Sequence, residues 1–326
     1  MTDGGFLLSY FLGEEEPDGE QVRFALSDGT DPGSWTLLNG GHPVLPCGEG
    51  EGGTRDPFLL RDRENGRFVL LATDLKIGAG GNWDRATRHG SDSIIVWESG
   101  DLVNWDGPFR RRVSTPAAGN SWAPKAFWSR ERNAWLVFWA SALFAPGEDR
   151  APGSHQRMMV AQTTDFRSFG EPSIYLDQGH DVIDATFLED GGRFYRFTAN
   201  AQPPGGLPGQ GQHIFAEVGR SLEDPAFEPL ARDIGRHCMV RAEGPAVAAD
   251  PSGGRWYLLA DEFGLRGYQL FTTADLASGA WEHVADAALP PGARHGSMLA
   301  VSAAERERLL AAFGAGLPGM GAAVQL

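Results

Sequence analysis

The chain has 326 residues, 41% of them hydrophobic, so it can bury a large core, and its length allows one large domain or two. Its net charge of −15 argues against a nucleic-acid partner, because phosphates would be repelled from most of the surface. The two cysteines define no disulfide framework, the N-terminal apolar run is too short for a signal peptide, and no later stretch approaches a membrane span. We therefore expect a cytoplasmic protein with neither nucleic-acid nor membrane partners.

Short apolar runs rich in aromatic and β-branched residues follow one another along the chain. In order they are GFLLSYF, RFVLLATDL, SIIVWES, AWLVFWAS, RMMVAQT, RFYRFTA, HIFAEVG, RWYLLAD and YQLFTTA. Clusters of Gly, Pro, Asp and Asn separate them, a pattern typical of short antiparallel strands. Only the last element, Ser302 to Gly314, has a serine cap, helix formers and a terminal glycine, and it predicts a helix. The predicted class is all-β.

A repeat runs through the same chain. A small polar residue, an aspartate and a later aromatic residue recur five times, ending at Trp35, Trp105, Phe169, Phe227 and Trp281. By subtraction, these aromatic residues are 70, 64, 58 and 54 residues apart. Units of this length have room for about four short strands each, which predicts a five-bladed β-propeller. We take residues 1–326 as one domain; spacing alone leaves open five unrelated hairpin turns in a β-sandwich.

The repeat also predicts which residues meet at the centre. Counting 14 to 21 residues forward from each closing aromatic residue leads to Asp56, Trp122, Asp184, Glu243 and His295. The innermost strand of each blade lines the central channel, so equivalent positions should lie together. We therefore expect the three acidic residues to converge on the axis, joined by the histidine.

Three carboxylates in one place have a chemical consequence. Their mutual repulsion raises the pKa of at least one of them, and a carboxylic acid that stays protonated near neutral pH can donate a proton to a leaving oxygen. A second carboxylate, kept ionised by a cation such as Arg55, can activate water, while the third tunes the acid. This combination suits glycoside hydrolysis.

Several motifs carry a resemblance to a known family. In chain order they are TRDPFLLRD, SWAPKAFW, VIDATFLEDGGRFY, EGPAVAADPSGGRWYLL and RHGSMLAVSAAE. Their order and spacing resemble glycoside hydrolase family 43 from Phe6 to the end of the chain. Within that family the stretch LLATDLKI…W…GSDSIIVWESGDLVNW is similar to the exo-acting, arabinan-active α-L-arabinofuranosidases.

The resemblance implies roles residue by residue. Asp56 matches the general base that activates water, Asp184 the aspartate that raises the pKa of the acid and orients it, and Glu243 the general acid. His295 matches a histidine that in many members lies under the site, next to a cation or a water in the channel. Members invert at the anomeric carbon, which implies base and acid carboxyls about 6.5–9.5 Å apart. No cofactor is required, and Ca²⁺ or another cation in the channel is left open.

Sugar-binding side chains are expected around these positions. Trp122, Trp83 and Phe58 lie near the motif strands and can stack on the apolar face of a sugar. Arg55 and Arg294 flank catalytic positions, where they can bind hydroxyl groups or hold carboxylates ionised. Each of the five has an ordinary structural alternative, which is packing within a blade or a salt bridge.

One motif departs from the family pattern. Trp-Ala-Pro is usually followed by an acidic residue, whereas SWAPKAFW has Lys125 there. The lysine either changes the charge of the sugar-binding site or turns to solvent.

The pattern as a whole predicts an inverting exo-glycosidase. Its expected substrates carry terminal α-L-arabinofuranosyl residues on oligosaccharides derived from arabinan or arabinoxylan. A β-xylosidase or another exo-glycosidase of the same fold stays open, because pentose geometry is not visible in the motifs. Retaining fructan-active propellers begin with Asn-Asp-Pro, which is absent here. Outside the enzymes, the alternative is a non-catalytic carbohydrate-binding propeller, with Lys125 as a mark of lost activity.

Overall fold

Five four-stranded antiparallel sheets form the blades of a β-propeller. The computed structural model describes residues 4–145, 147, 149–151, 153–200 and 212–314. The prediction of an all-β, five-bladed propeller is confirmed, since each of the five sheets contains four strands.

Each blade is described from its innermost strand outward. The first blade contains β20 (Arg294–Ala300), β1 (Phe6–Phe11), β2 (Arg23–Ser27) and β3 (Trp35–Leu37). The second contains β4 (Thr54–Asp62), β5 (Arg67–Asp74), β6 (Ser93–Ser99) and β7 (Trp105–Arg112). The third contains β8 (Trp122–Ser129), β9 (Ala134–Ala142), β10 (Gln156–Thr163) and β11 (Ser173–Leu176). The fourth contains β12 (Val182–Asp190), β13 (Arg193–Asn200), β14 (His213–Gly219) and β15 (Glu228–Ile234). The fifth contains β16 (Glu243–Ala249), β17 (Trp256–Glu262), β18 (Gly267–Thr273) and β19 (Glu282–His283).

The first blade closes the ring. Its innermost strand β20 comes from the end of the chain and pairs antiparallel with β1 near the beginning, with Leu8 opposite Met298. The two ends of the chain are therefore joined by strand hydrogen bonds, which leaves no open sheet edge between them.

The repeated aspartate caps the turn that leads into the outermost strand. The carboxylate of Asp101 accepts hydrogen bonds from the backbone N–H groups of Val103 and Asn104, at 2.9 and 2.7 Å. That of Asp275 accepts from Ala277 N–H at 3.1 Å. Such side-chain caps stabilise a turn locally, which explains why the pattern recurs once per blade.

The apolar core lies between blades. The nine predicted runs are second or third strands of their sheets, and both faces of these strands pack against neighbouring blades. Leu70, Val137 and Leu258, each in such a strand, are fully buried. Burial on both faces explains why these strands are continuous apolar runs rather than alternating ones.

In the part of the chain that the structure describes, two α-helices lie outside the sheets, α1 (Trp83–His89) and α2 (Ala303–Phe313), with 3₁₀ turns at Leu38–Gly41 and Leu276–Ser278. The predicted C-terminal helix is confirmed, and α1 was not predicted. Among the described residues, no helix combines the length and the apolar character needed to cross a bilayer.

The N-terminal cap of α2 is expected to contribute measurably to stability. The Ser302 hydroxyl accepts from Glu305 N–H at 3.3 Å, and the Glu305 carboxylate accepts from Ser302 N–H at 2.8 Å, which is a reciprocal capping box. Ser302→Ala should lower the free energy of unfolding by about 1 kcal/mol, measured by urea denaturation. Ser302→Thr keeps the hydroxyl and should lose much less; equal losses in both variants would contradict a capping effect.

Candidate active site

A β-bulge near the start of each innermost strand shapes one end of the channel. In four blades the residue within the bulge has a left-handed backbone: Asp56 (φ 54°), Ala123 (φ 49°), Asp184 (φ 59°) and Gly244 (φ 56°). His295 lies at the corresponding position of the bulge in β20. Asp adopts positive φ more readily than most side chains, so two of these positions suit the local geometry.

The register predicted by counting is wrong by one residue in two blades. The residue before the bulge pairs with the second strand as Arg55 with Thr73 and Glu243 with Asp261. Glu243 is therefore equivalent to Arg55 rather than to Asp56, and Trp122, which pairs with Ala140, belongs to the same set. The connections from the closing aromatic residues differ in length between blades, so counting along them cannot resolve a shift of one residue.

The predicted catalytic residues nevertheless meet, and His295 is at their centre. Its Nε2 lies 3.3 Å from Asp56 Oδ1 and 3.4 Å from Glu243 Oε1, and its Nδ1 lies 3.7 Å from Asp184 Oδ2. Asp56 Oδ1 and Glu243 Oε1 are therefore at most 6.7 Å apart, the sum of their distances from Nε2. Asp261, which was not predicted, has Oδ2 4.0 Å from the same nitrogen.

Asp56 is held by its neighbours in two blades. The hydroxyl of Thr73 donates to Asp56 Oδ2 at 2.5 Å and accepts from Ala123 N–H at 2.7 Å. With the hydroxyl proton directed to the carboxylate, this chain of hydrogen bonds fits an ionised Asp56.

Glu243 is strongly paired. Arg294 Nη2 donates to its Oε1 at 2.7 Å, and Gln212 donates to its Oε2 at 3.3 Å. Burial alone would raise the pKa of Glu243, but the hydrogen bond and charge of His295, with the charges of Arg294 and Arg55, lower it to about 2. Without a bound sugar, Glu243 is a carboxylate.

Asp184 has the opposite character. Its side chain is 3% exposed and accepts from Gly244 N–H at 2.9 Å. Burial raises the pKa of Asp184 to about 6, and the charges of Glu243 and Asp56 raise it while those of His295 and Lys125 lower it. The expected repulsion between the carboxylates is thus present, although burial is the larger cause of the raised pKa. Asp184 therefore holds its proton more tightly than Glu243 does.

His295 is held as a cation. Burial lowers its pKa, but the charges of Asp56, Asp184 and Glu243 and a hydrogen bond to Glu243 outweigh this and raise it to about 9. At neutral pH an imidazolium therefore separates the three carboxylates.

This raised pKa predicts a loss of stability at alkaline pH. Because the folded value exceeds the ordinary value of 6.5, His295 contributes stability in full below pH 6.5 and loses it as the pH rises through 9. The contribution is roughly 3 kcal/mol. The difference in unfolding free energy between the wild type and His295→Gln, from urea titrations at intervals between pH 6 and 10, should shrink over this window. A constant difference would show that His295 is not charged by folding.

Two of the predicted sugar-binding aromatic residues, Trp83 and Trp122, pack together, and the two predicted arginines have different surroundings. Trp83 on α1 is 44% exposed and packs edge-on against Trp122, with ring centroids 6.0 Å apart. Arg55 lies 4.9 Å from the Trp83 ring, is 3% exposed, and pairs with Glu20 at 3.0 Å. Arg55 therefore packs against the Trp83 ring, whereas Arg294 contacts the carboxylate of Glu243 directly.

The structure gives the positions of Phe58 and Lys125. Phe58 packs against Phe127, with ring centroids 5.4 Å apart, and lines a separate cavity of about 600 Å³ among residues near the other ends of the innermost strands. The structure therefore does not bring Phe58 to the carboxylates. Lys125 is 3% exposed, which excludes the alternative that it turns to solvent.

A cavity of about 730 Å³ has none of Asp56, Asp184, Glu243 or His295 in its lining. Glu14 lines it, and the Glu14 carboxylate is 3.2 Å from Arg55 and 3.8 Å from Arg294. A volume of this size falls in the usual range for small-molecule sites.

The cluster fits a divalent cation poorly. Glu243, Asp261 and His295 have ligand atoms within 4.8 Å of one another. However, Arg294 donates to both carboxylates, at 2.7 Å to Glu243 and 2.9 Å to Asp261, so a guanidinium already occupies the place between them. With the His295 cation beside it, this donor set carries too much positive charge for a second cation.

Two functional neighbours, Thr73 and Asp261, were missed by the sequence analysis. Both end apolar runs on second strands, LLAT and LLAD, and both pair with the residue before a bulge. A polar residue closing an otherwise buried strand is the signal that could have indicated them.

A five-bladed propeller that gathers carboxylates of distinct pKa at one end of its channel has the design of a glycoside hydrolase. The family model described as "Probable glycosyl hydrolase domain", which is related to family 43, matches residues 3–307. The chain belongs to this family of family 43-related glycosyl hydrolases.

Individual relatives agree with the fold and the family. The chain is 32% identical over 299 residues to an α-L-arabinofuranosidase of Bifidobacterium longum, covering 81% of this chain but only 28% of that protein. The α-L-arabinanase of Penicillium chrysogenum, solved with arabinobiose, is 14% identical with a TM-score of 0.53, covering 90% of this chain and 80% of that one. A protein of Bifidobacterium bifidum assigned as an exo-β-1,3-galactanase is 12% identical with a TM-score of 0.56, covering 90% and 92%. At these identities the two structures establish likeness of fold alone.

Proposed function

We propose that this glycoside hydrolase is an exo-acting α-L-arabinofuranosidase that releases terminal α-L-arabinofuranosyl residues from oligosaccharides derived from arabinan or arabinoxylan. The observation that carries the proposal is the meeting of Asp56, Asp184 and Glu243 around His295 in a chain 32% identical to an α-L-arabinofuranosidase. The sugar is taken from that relative, and the reaction type from the carboxylates.

The proposed reaction is a single inverting displacement. Asp56, which accepts the Thr73 hydroxyl proton, is the base that takes a proton from the attacking water. Asp56 Oδ1 and Glu243 Oε1 are at most 6.7 Å apart. This upper limit is compatible with the shortest separations in inverting enzymes, whose range is about 6.5–9.5 Å.

Glu243 is the proposed acid because of its accessibility. Its side chain is 15% exposed, whereas that of Asp184 is 3% exposed, so a glycosidic oxygen can reach Glu243 more readily. Its low pKa in the free protein must rise before it can donate a proton. A bound sugar that excludes water and engages Arg294 shifts the pKa in this direction, since desolvation and the loss of a paired cation both favour the neutral acid.

The test is hydrolysis of 4-nitrophenyl α-L-arabinofuranoside, with the first product anomer followed by NMR. We expect turnover with the β-anomer appearing first, and slower turnover of the matched β-D-xylopyranoside and β-D-galactopyranoside. Faster hydrolysis of either pyranoside would overturn the sugar assignment, and initial release of the α-anomer would overturn inversion. Sugar binding without turnover of any glycoside would instead favour a carbohydrate-binding propeller.

A further inference from the structure

Lys125 is a buried charge that the proposed reaction does not use. It lies on β8, two residues after the left-handed Ala123, and its side chain is 3% exposed. At the bulge of β8 neither Trp122 nor Ala123 contributes a charged group. The charged side chain of the third blade is therefore Lys125, which follows the bulge instead of lying within it.

The side chain of Lys125 reaches across the channel. Its Nζ donates to the carbonyl oxygen of Pro245 at 2.8 Å. Pro245 is on β16, and around the channel β12 lies between β8 and β16. The ammonium group thus extends past the strand that carries Asp184 and ends at the peptide between Pro245 and Ala246.

This contact bears on Glu243. Asp184 accepts from Gly244 N–H at 2.9 Å, while Lys125 donates to the carbonyl of the next residue, Pro245. The two hydrogen bonds hold Gly244 and Pro245, the two residues that directly follow Glu243. Lys125 is therefore placed to fix the backbone that positions the proposed acid.

The charge of Lys125 is also directed at the carboxylates. Burial lowers the pKa of Lys125 to about 8, while the charges of Asp184 and Asp56 act in the opposite direction. At neutral pH the group remains an ammonium. Its charge interacts with those of Asp56 on β4 and Asp184 on β12, which belong to the cluster that also contains Glu243 of β16 and His295 of β20.

We propose that Lys125 is a built-in cation of the central channel that acts beside His295 and Arg294: its ammonium group offsets the negative charge of Asp56 and Asp184 and positions the Glu243 segment, so that the protein needs no divalent cation. The proposal rests on the glycosidase function proposed above. It accounts for a lysine where an acidic residue is usual, and for the Arg294 guanidinium that fills the space between Glu243 and Asp261.

The first experiment measures the charge directly, without any activity. The chain has two lysines, Lys76 and Lys125, so the ¹³C spectrum of protein labelled at lysine Cε contains two signals, which the Lys76→Met variant assigns. The Lys125 signal should report an ammonium at pH 7. A neutral amine at pH 7 would overturn the proposal whatever the protein hydrolyses.

The second experiment compares Lys125→Met, which keeps the length without the charge, with Lys125→Arg, which keeps the charge. On the best glycoside we expect Lys125→Met to lower kcat roughly 10–100-fold and Lys125→Arg to recover part of this. Loss of the cation raises the carboxyl pKa values, so the acidic limb of kcat/KM should move to higher pH in Lys125→Met alone. Equal loss in both variants with unmoved pH profiles would mean a packing role only.

The third experiment concerns the metal. The melting temperature of the wild type, and its activity if it hydrolyses a glycoside, should not change after dialysis against EDTA or on addition of CaCl₂. Loss in EDTA that Ca²⁺ restores would overturn the proposal. Absence of turnover on every glycoside would refute the proposed function, yet the NMR and melting data would still decide whether Lys125 is the cation.

Discussion

Glu243→Gln should lower kcat on an arabino-oligosaccharide by about 10²–10⁴-fold, the usual contribution of a general acid. The amide keeps the size of the side chain but has no proton to donate to the leaving oxygen. On 2,4-dinitrophenyl α-L-arabinofuranoside, whose leaving group needs little protonation, the loss should be far smaller. Steady-state kinetics on the two substrates measure this difference.

The control is Glu282→Gln, which removes an exposed carboxylate from the outermost strand β19 and should leave both rates unchanged. Equal loss on both substrates in Glu243→Gln would contradict a proton-donor role. If Asp184→Asn instead showed the loss that depends on the leaving group, the carboxyl whose pKa burial raises to about 6 would be the acid.

Gly244→Ala should destabilise the protein strongly. Gly244 has φ 56°, and an added Cβ would lie 1.9 Å from Cβ of His295. The unfavourable backbone and the collision together should cost about 3 kcal/mol. Because His295 would have to move, activity should fall as well.

Gly191→Ala is a matched control, since Gly191 has φ 57° with no atom within 4 Å of the added Cβ. It should cost only about 1 kcal/mol, the backbone contribution alone. Thermal unfolding of both variants gives the comparison, and similar losses would refute the steric contact with His295.

The electrostatics of the cluster are organised by opposite charges rather than by repulsion alone. His295 is held as a cation by the carboxylates around it, and together with Arg294 it keeps Glu243 ionised. Asp184, which is more deeply buried, keeps its pKa near 6. A bound sugar must therefore redistribute protons within this cluster before bond cleavage, and the pH profile of kcat/KM will report those coupled groups together.

The sequence by itself determined the propeller, its five units and three of the central carboxylates, Asp56, Asp184 and Glu243. These features are encoded locally: an aspartate caps a turn once per blade, and strands buried on both faces must be apolar throughout. The helix that begins after Ser302 was likewise predictable, because Ser302 caps its start and Gly314 follows its end.

Only the tertiary structure decided the fine geometry of the site. Glu243 and Arg55 occupy equivalent positions before a bulge, and this equivalence depends on the hydrogen-bond register between strands. Counting residues along connections of unequal length cannot predict it. The burial of Lys125 and its reach to Pro245, the recruitment of Asp261, and the separation of Phe58 from the carboxylates all arise between blades. Contacts between residues in different blades depend on how whole sheets pack around the axis, and no local pattern in the chain records that packing.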